Sequence, residues 1–226
     1  MCPVRIKVCG IRTLDDALAA IAEGVHALGF VFAPSPRRIE PERAATIIKE
    51  LPPFIGKVGV FVNEDKERVR DIAAYCGLDT LQFHGEETEA YCHFFQPHKV
   101  IKAFPVSQPL SLEGCHPSGC SAILLDTKYA NKKGGGGLTF DWQLALPLCK
   151  GPVPIILAGG LHQGNIQDAL SLLRPYGVDV SSGVEKNGRK VQGMIRTFMH
   201  QIGKWEYTQK LDKGALCYGN AHHTGN

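Results

Sequence analysis

The chain has 226 residues, 44% apolar and 21% charged, with a formal net charge of +3. This is the make-up of one globular α/β domain, large enough to bury a core without disulfides. The small, scattered charge speaks against nucleic acid as a partner, no segment approaches the ~18 apolar residues of a membrane span, and strand-like sequence begins so early that no secretory leader is expected.

In chain order, short apolar runs alternate with segments of helical period. Residues 4–9 read as a first strand. Thr13 is a fitting N-cap for the helix that follows, Asp15 and Asp16 suit its positive end, and Gly24 closes it. Strands are expected over 27–32, 57–62, 80–83, 100–104, 122–126, 154–157 and 178–180. Helices are expected over about 41–51, 64–75, 86–95, 163–173 and 191–202, with another starting near Asp141. The segment 107–116 is broken by Pro109 and is a poor helix. Eight strand–helix units in strict alternation predict a single (β/α)8 TIM barrel over residues 1–204, with 205–226 a polar, mobile C-terminal tail. An open doubly wound sheet is the competing architecture, but no Gly-x-Gly-x-x-Gly follows the first strand.

The eight cysteines contain no C-x-x-C pair and the nine histidines no metal-ligand spacing, so reduced thiols, a cytoplasmic location and no metal site are expected. The functional residues of such a barrel sit where strands end at its C-terminal face. Cys9 ends the first strand and is either core filling or a base. Lys7, on the same face, reads as an ion-paired core lysine. Arg37 or Arg38 in SPRRI offers a fork for a carboxylate or phosphate, and a solvated loop arginine is the equal alternative. Gln82 and His84 share one strand face and either enter the site or form a polar interior layer. Asp126 closes the run Ile123-Leu124-Leu125 as a partnered, capping or working carboxylate. Gly159 and Gly160 in AGGL, with Ser182 and Gly183 in SSGVE, occupy the two loops that grip phosphate in many such barrels. The run Gly134-Gly135-Gly136-Gly137 reads either as a lid that adds a phosphate contact or as a linker.

These motifs together resemble phosphoribosylanthranilate isomerases of tryptophan biosynthesis. The resemblance rests on KVCGI, GFVF with SPRRI, VGVFVN, LQFHGEE, IKAF, LLDT, the glycine run with FDW, LAGGL and VDVSSGVE, in order over residues 4–200. It implies an Amadori rearrangement of a phosphorylated aminoaldose, with Asp126 as general acid and Cys9 as general base. It further implies that Arg37 binds the anthranilate carboxylate and that Gly135, Gly159, Gly160, Ser182 and Gly183 surround the phosphate, without cofactor or metal. Lys7, or a cationic substrate imine, is expected to offset part of the cost of ionising the thiol. The chain departs from the family pattern at Gly136, where a hydroxyl residue is usual, and at Val191, where an acidic one is. The protein is expected to act as monomer or homodimer on a small molecule, with neither nucleic acid nor membrane as partner. The alternatives are another phosphosugar isomerase or epimerase on the same barrel, or a barrel that only binds a phosphorylated ligand.

Overall fold

A computed structural model describes residues 3–106, 119–127, 141–149 and 151–219, the last eight by backbone alone. Strand β1 (Arg5–Cys9) leads to helix α1 (Leu14–Ala22), β2 (Ala27–Val31) to α2 (Pro41–Lys49), and β3 (Gly56–Phe61) to α3 (Lys66–Cys76). Strand β4 (Thr80–Phe83) is followed by the short α4 (Glu89–His93), then β5 (Lys99–Val106) and β6 (Ala122–Thr127). A 3-10 turn, Trp142–Ala145, runs into α5 (Leu146–Cys149); β7 (Ile155–Leu157), α6 (Ile166–Leu173) and β8 (Gly177–Val180) follow. A second 3-10 turn, Ser182–Val184, precedes a two-stranded hairpin of β9 (Glu185–Lys186) and β10 (Arg189–Lys190), and α7 (Gln192–Gly219) ends the fold.

Among the described residues, β1 to β8 pair in sequence order and in parallel, and β8 returns to β1, closing the barrel. Alternation along each strand sorts the side chains. Val8, Leu28, Phe30, Phe83, Leu125 and Val178 face the helices and form the main core. Val58, Ile101, Ala103, Leu124 and Ile156 pack in a separate interior cluster, and Cys9 packs above them on Val31, Ala33 and Val60. Parity therefore aims Lys7, Cys9, Gln82, Asp126 and Asp179 inward.

Thr13 caps α1 by accepting from the Asp16 amide, as its sequence position implies, and Asp65 and Thr88 cap α3 and α4 in the same way. Three elements differ from expectation. Helix α4 spans a shorter stretch than 86–95, because Gly85 and Glu87 are held in the loop that precedes it. The helix expected near Asp141 opens as a 3-10 turn, Trp142–Ala145, which Asp141 caps by accepting from the Gln143 amide. Helix α7 does not stop near 202 but continues through the boundary drawn at 204. Trp205 is 5% exposed on that helix and donates to Ser171 Oγ at 2.9 Å, and Glu206 accepts from the Val4 amide at 2.6 Å. The segment 107–116, the glycine run 134–137 and the terminal 220–226 lie outside the described residues.

Candidate active site

Strand β1 delivers Cys9 to the mouth of the barrel, where the thiol is half-buried. Its register partner on β2 is Gly29, and a Cβ there would lie 2.7 Å from Cys9 Sγ and 3.0 Å from Lys7 Cε. The missing side chain is what makes room for the thiol and the lysine. Lys7 is buried and pairs with Asp179 at 2.8 Å, across the β1–β8 register, as expected of an ion-paired interior lysine.

Burial pushes the Cys9 thiol above its ordinary range, Lys7 pulls against it, and Asp179 adds to the rise. The expected help from Lys7 is therefore present but outweighed: its charge is already shared with Asp179. For Lys7 itself burial acts to lower the pKa, and Asp179 overcomes this and holds it above the usual value. A second ammonium approaches from the hairpin. Lys190 donates to the Ser181 carbonyl at 3.1 Å and to Glu185 Oε2 at 3.0 Å, while Ser181 Oγ donates to the Cys9 carbonyl at 2.9 Å. Burial lowers the Lys190 pKa, with Glu185 opposing.

Arg37 enters from the loop after β2. Its Nε donates to Glu185 Oε2 at 2.8 Å, so Glu185 bridges Arg37 and Lys190. Burial alone would raise the Glu185 carboxyl, but the hydrogen bond from Arg37 and the charge of Lys190 together hold it below the usual range. The Arg37 stem lies against Gly10, where a Cβ would meet Arg37 Cδ at 2.5 Å. Arg38 points elsewhere and pairs with Glu40 at 3.3 Å, so of the two arginines it is Arg37 that packs beside Glu185 and Gly10.

On the facing strands, His84 Nε2 lies 3.2 Å from Asp126 Oδ2, with side-chain exposures of 27% and 29%. His84 Nδ1 lies 3.3 Å from Gln82 Nε2. The Gln82 amide and the Asp126 carboxyl thus flank the two ring nitrogens of His84. Gln82 is buried below this pair, and among the described residues Gln82 Oε1 has no hydrogen-bond partner. Gln82 and His84 thus belong to the same line of side chains as Asp126.

The loops after β7 and β8 meet edge to edge. Gly159 and Gly160 have φ of +81° and +65°, the left-handed region that glycine tolerates. A Cβ on Gly183 would collide with the Leu161 carbonyl oxygen, so only glycine lets the two loops close. Ser182 and Gly183 open the 3-10 turn after β8. Gly135 lies outside the described residues.

Several participants escaped the sequence reading. Asp179 sits inward in the alternating GVDV strand and could have been read from parity. Glu185 stood in a quoted motif without a role. Lys190 had no signal at all, since its place depends on the hairpin. Glu87 and Lys102 form a second buried ion pair at 3.0 Å; Glu87 also accepts from the Asn63 amide at 2.8 Å and the Gly85 amide at 2.9 Å, binding the ends of β3, β4 and β5 together.

Comparison with known proteins places the chain in a family. A model of the N-(5'-phosphoribosyl)anthranilate isomerase family matches residues 6–201. The chain belongs to that family. It is 51% identical over 196 residues to the N-(5'-phosphoribosyl)anthranilate isomerase of Desulforudis audaxviator, covering 86% of this chain and 95% of the relative. The crystal structure of the Thermotoga maritima enzyme matches with a TM-score of 0.82 at 44% identity, over 89% of this chain and 99% of the other. Another family structure, in complex with reduced 1-(o-carboxyphenylamino)-1-deoxyribulose 5-phosphate, matches with a TM-score of 0.79 at 41% identity, over 89% and 99%.

Proposed function

We propose that this chain catalyses the family's reaction in tryptophan biosynthesis, the conversion of N-(5'-phosphoribosyl)anthranilate into 1-(2-carboxyphenylamino)-1-deoxyribulose 5-phosphate. The observation that carries the reading is the placement of one thiol and one carboxyl, both facing inward at the same rim, beside two glycine loops packed edge to edge. We place the enzyme in the cytoplasm, in keeping with the free thiols of Cys9, Cys76, Cys92, Cys120 and Cys149. No helix among the described residues is long and apolar enough to cross a membrane.

In this reading Asp126 protonates the ribose ring oxygen. The C–O bond breaks, the ring opens, and the amine nitrogen becomes an iminium. Cys9 removes the proton from the sugar carbon next to it, and the resulting enolamine tautomerises to the ketone. The line Gln82–His84–Asp126 orients the acid. Gly159, Gly160, Ser182 and Gly183 hold the phosphate through backbone amides, and Arg37, fixed on one side by Glu185, offers its remaining guanidinium edge to the anthranilate carboxylate.

Burial favours the thiol form of Cys9. The positive iminium that forms beside it both acidifies the carbon and favours the thiolate, so the base is generated when it is needed. Conversion followed by anthranilate-type fluorescence tests the assignment. Cys9→Ala and Asp126→Asn are each expected to lower kcat by about 10²–10⁴-fold with the fold intact. Wild-type turnover in either variant would overturn the roles assigned here.

A further inference from the structure

Outside the rim a separate cleft of about 370 Å³ is lined by Arg12, Thr13, Arg38, Ile39, Glu40, Arg43 and Arg189. It lies behind the loop that carries Arg37, so neighbouring residues of one loop serve two different places. Four guanidinium groups around one concavity repel each other unless something compensates them. Two are compensated within the protein: Arg38 by Glu40 at 3.3 Å, and Arg189 by Asp16 at 3.3 Å and more distantly by Asp15 at 3.9 Å.

The other two are not. Among the described residues the Arg12 side chain donates only to neutral carbonyls, that of Pro36 at 3.0 Å and that of Gly188. This fixes its plane while leaving its charge unbalanced. Arg43 makes no ion pair or hydrogen bond through its side chain among the described residues. The cleft is also where α2 begins, and among the described residues the side chain of its N-cap residue, Glu40, makes no capping bond. The positive end of that helix adds to the potential that the arginines create.

We propose that this cleft is a second anion site, for a phosphorylated small molecule that carries at least two negative charges. Planar guanidinium forks suit phosphate oxygens. The volume holds roughly ten waters at ~30 Å³ each, more than one orthophosphate fills, so pyrophosphate or a phosphate ester fits better than the single ion. The site is distinct from the glycine loops after β7 and β8, which contribute none of its lining.

Calorimetric titration of the full chain with pyrophosphate, at ~0.1 M salt where the Debye length is about 10 Å, tests it. The wild type is expected to bind, Arg43→Glu to weaken that binding by about tenfold or more, and Arg43→Lys to retain most of it. Arg43 is exposed, so neither change threatens the fold. Arg68→Glu, an equal charge reversal on α3 away from the cleft, controls for the general field and is expected to leave binding unchanged. An identical isotherm for wild type and Arg43→Glu overturns the proposal, as does an equal loss in Arg68→Glu. Because the readout is binding, it fails or succeeds independently of the isomerase assignment.

Discussion

Cys9 shows how one missing side chain prepares a reactive one. Gly29 leaves the space that Sγ and the Lys7 stem occupy. Gly29→Ala is expected to cost about 1–3 kcal/mol through overpacking and to lower kcat more than it raises KM, since the thiol must move. Paired thermal unfolding and steady-state kinetics check this. The same thiol sets a pH dependence. A base held above its ordinary pKa ionises only as pH rises, so kcat/KM is expected to climb through neutral pH with an apparent pKa above that of a free thiol. A limb that is absent in Cys9→Ser and present in wild type assigns it.

At the scale of elements, the rim is held by ion pairs between strand ends rather than by the strands alone. Glu87 accepts two loop amides and pairs with Lys102, so Glu87→Ala leaves a buried ammonium and two unsatisfied N–H groups. A loss of about 3–5 kcal/mol is expected, read as a fall in the urea midpoint. Asp16 does comparable work on the other side. It accepts from the Arg12 and Lys190 amides and from Arg189, and so joins α1 to the hairpin. The hairpin brings Lys190 to Glu185, which explains why a helix-start aspartate bears on the site. The alternation of GVDV and the cap at Thr13 were readable from the chain because they depend on neighbours in sequence. The place of Lys190 was not, because it depends on a hairpin docking against a helix more than 170 positions away.

Across the whole molecule the two ends of the chain close the fold. Glu206 on α7 accepts from Val4, and Trp205 fills the groove beside α6. Trp205→Ala is expected to cost about 3–5 kcal/mol, and at about 2–4 °C per kcal/mol the melting temperature falls by roughly 6–20 °C. Beside this closure, His26 Nδ1 accepts from the Ile6 amide at 3.1 Å, a bond that requires the unprotonated ring. Burial, then Arg5, holds its pKa below the ordinary value. Its contribution is therefore complete above about pH 6.5, the unfolded value, and is lost as pH falls through the lower folded value. Unfolding free energy measured from pH 7.5 to 5 is expected to decline, and His26→Gln to flatten that slope.

The sequence by itself determined the strand–helix alternation, the shared face of Gln82 and His84, the glycine loops after β7 and β8, and the family resemblance. Each is local: a period, a cap or a motif of a few residues reports its own structure. Tertiary structure alone decided the length of α7, whose continuation is fixed by a groove for Trp205. It also decided which arginine turns toward the rim, and that the charge of Lys7 is spent on Asp179. Those outcomes depend on which groups burial brings within a few ångströms of each other, and only barrel closure decides that.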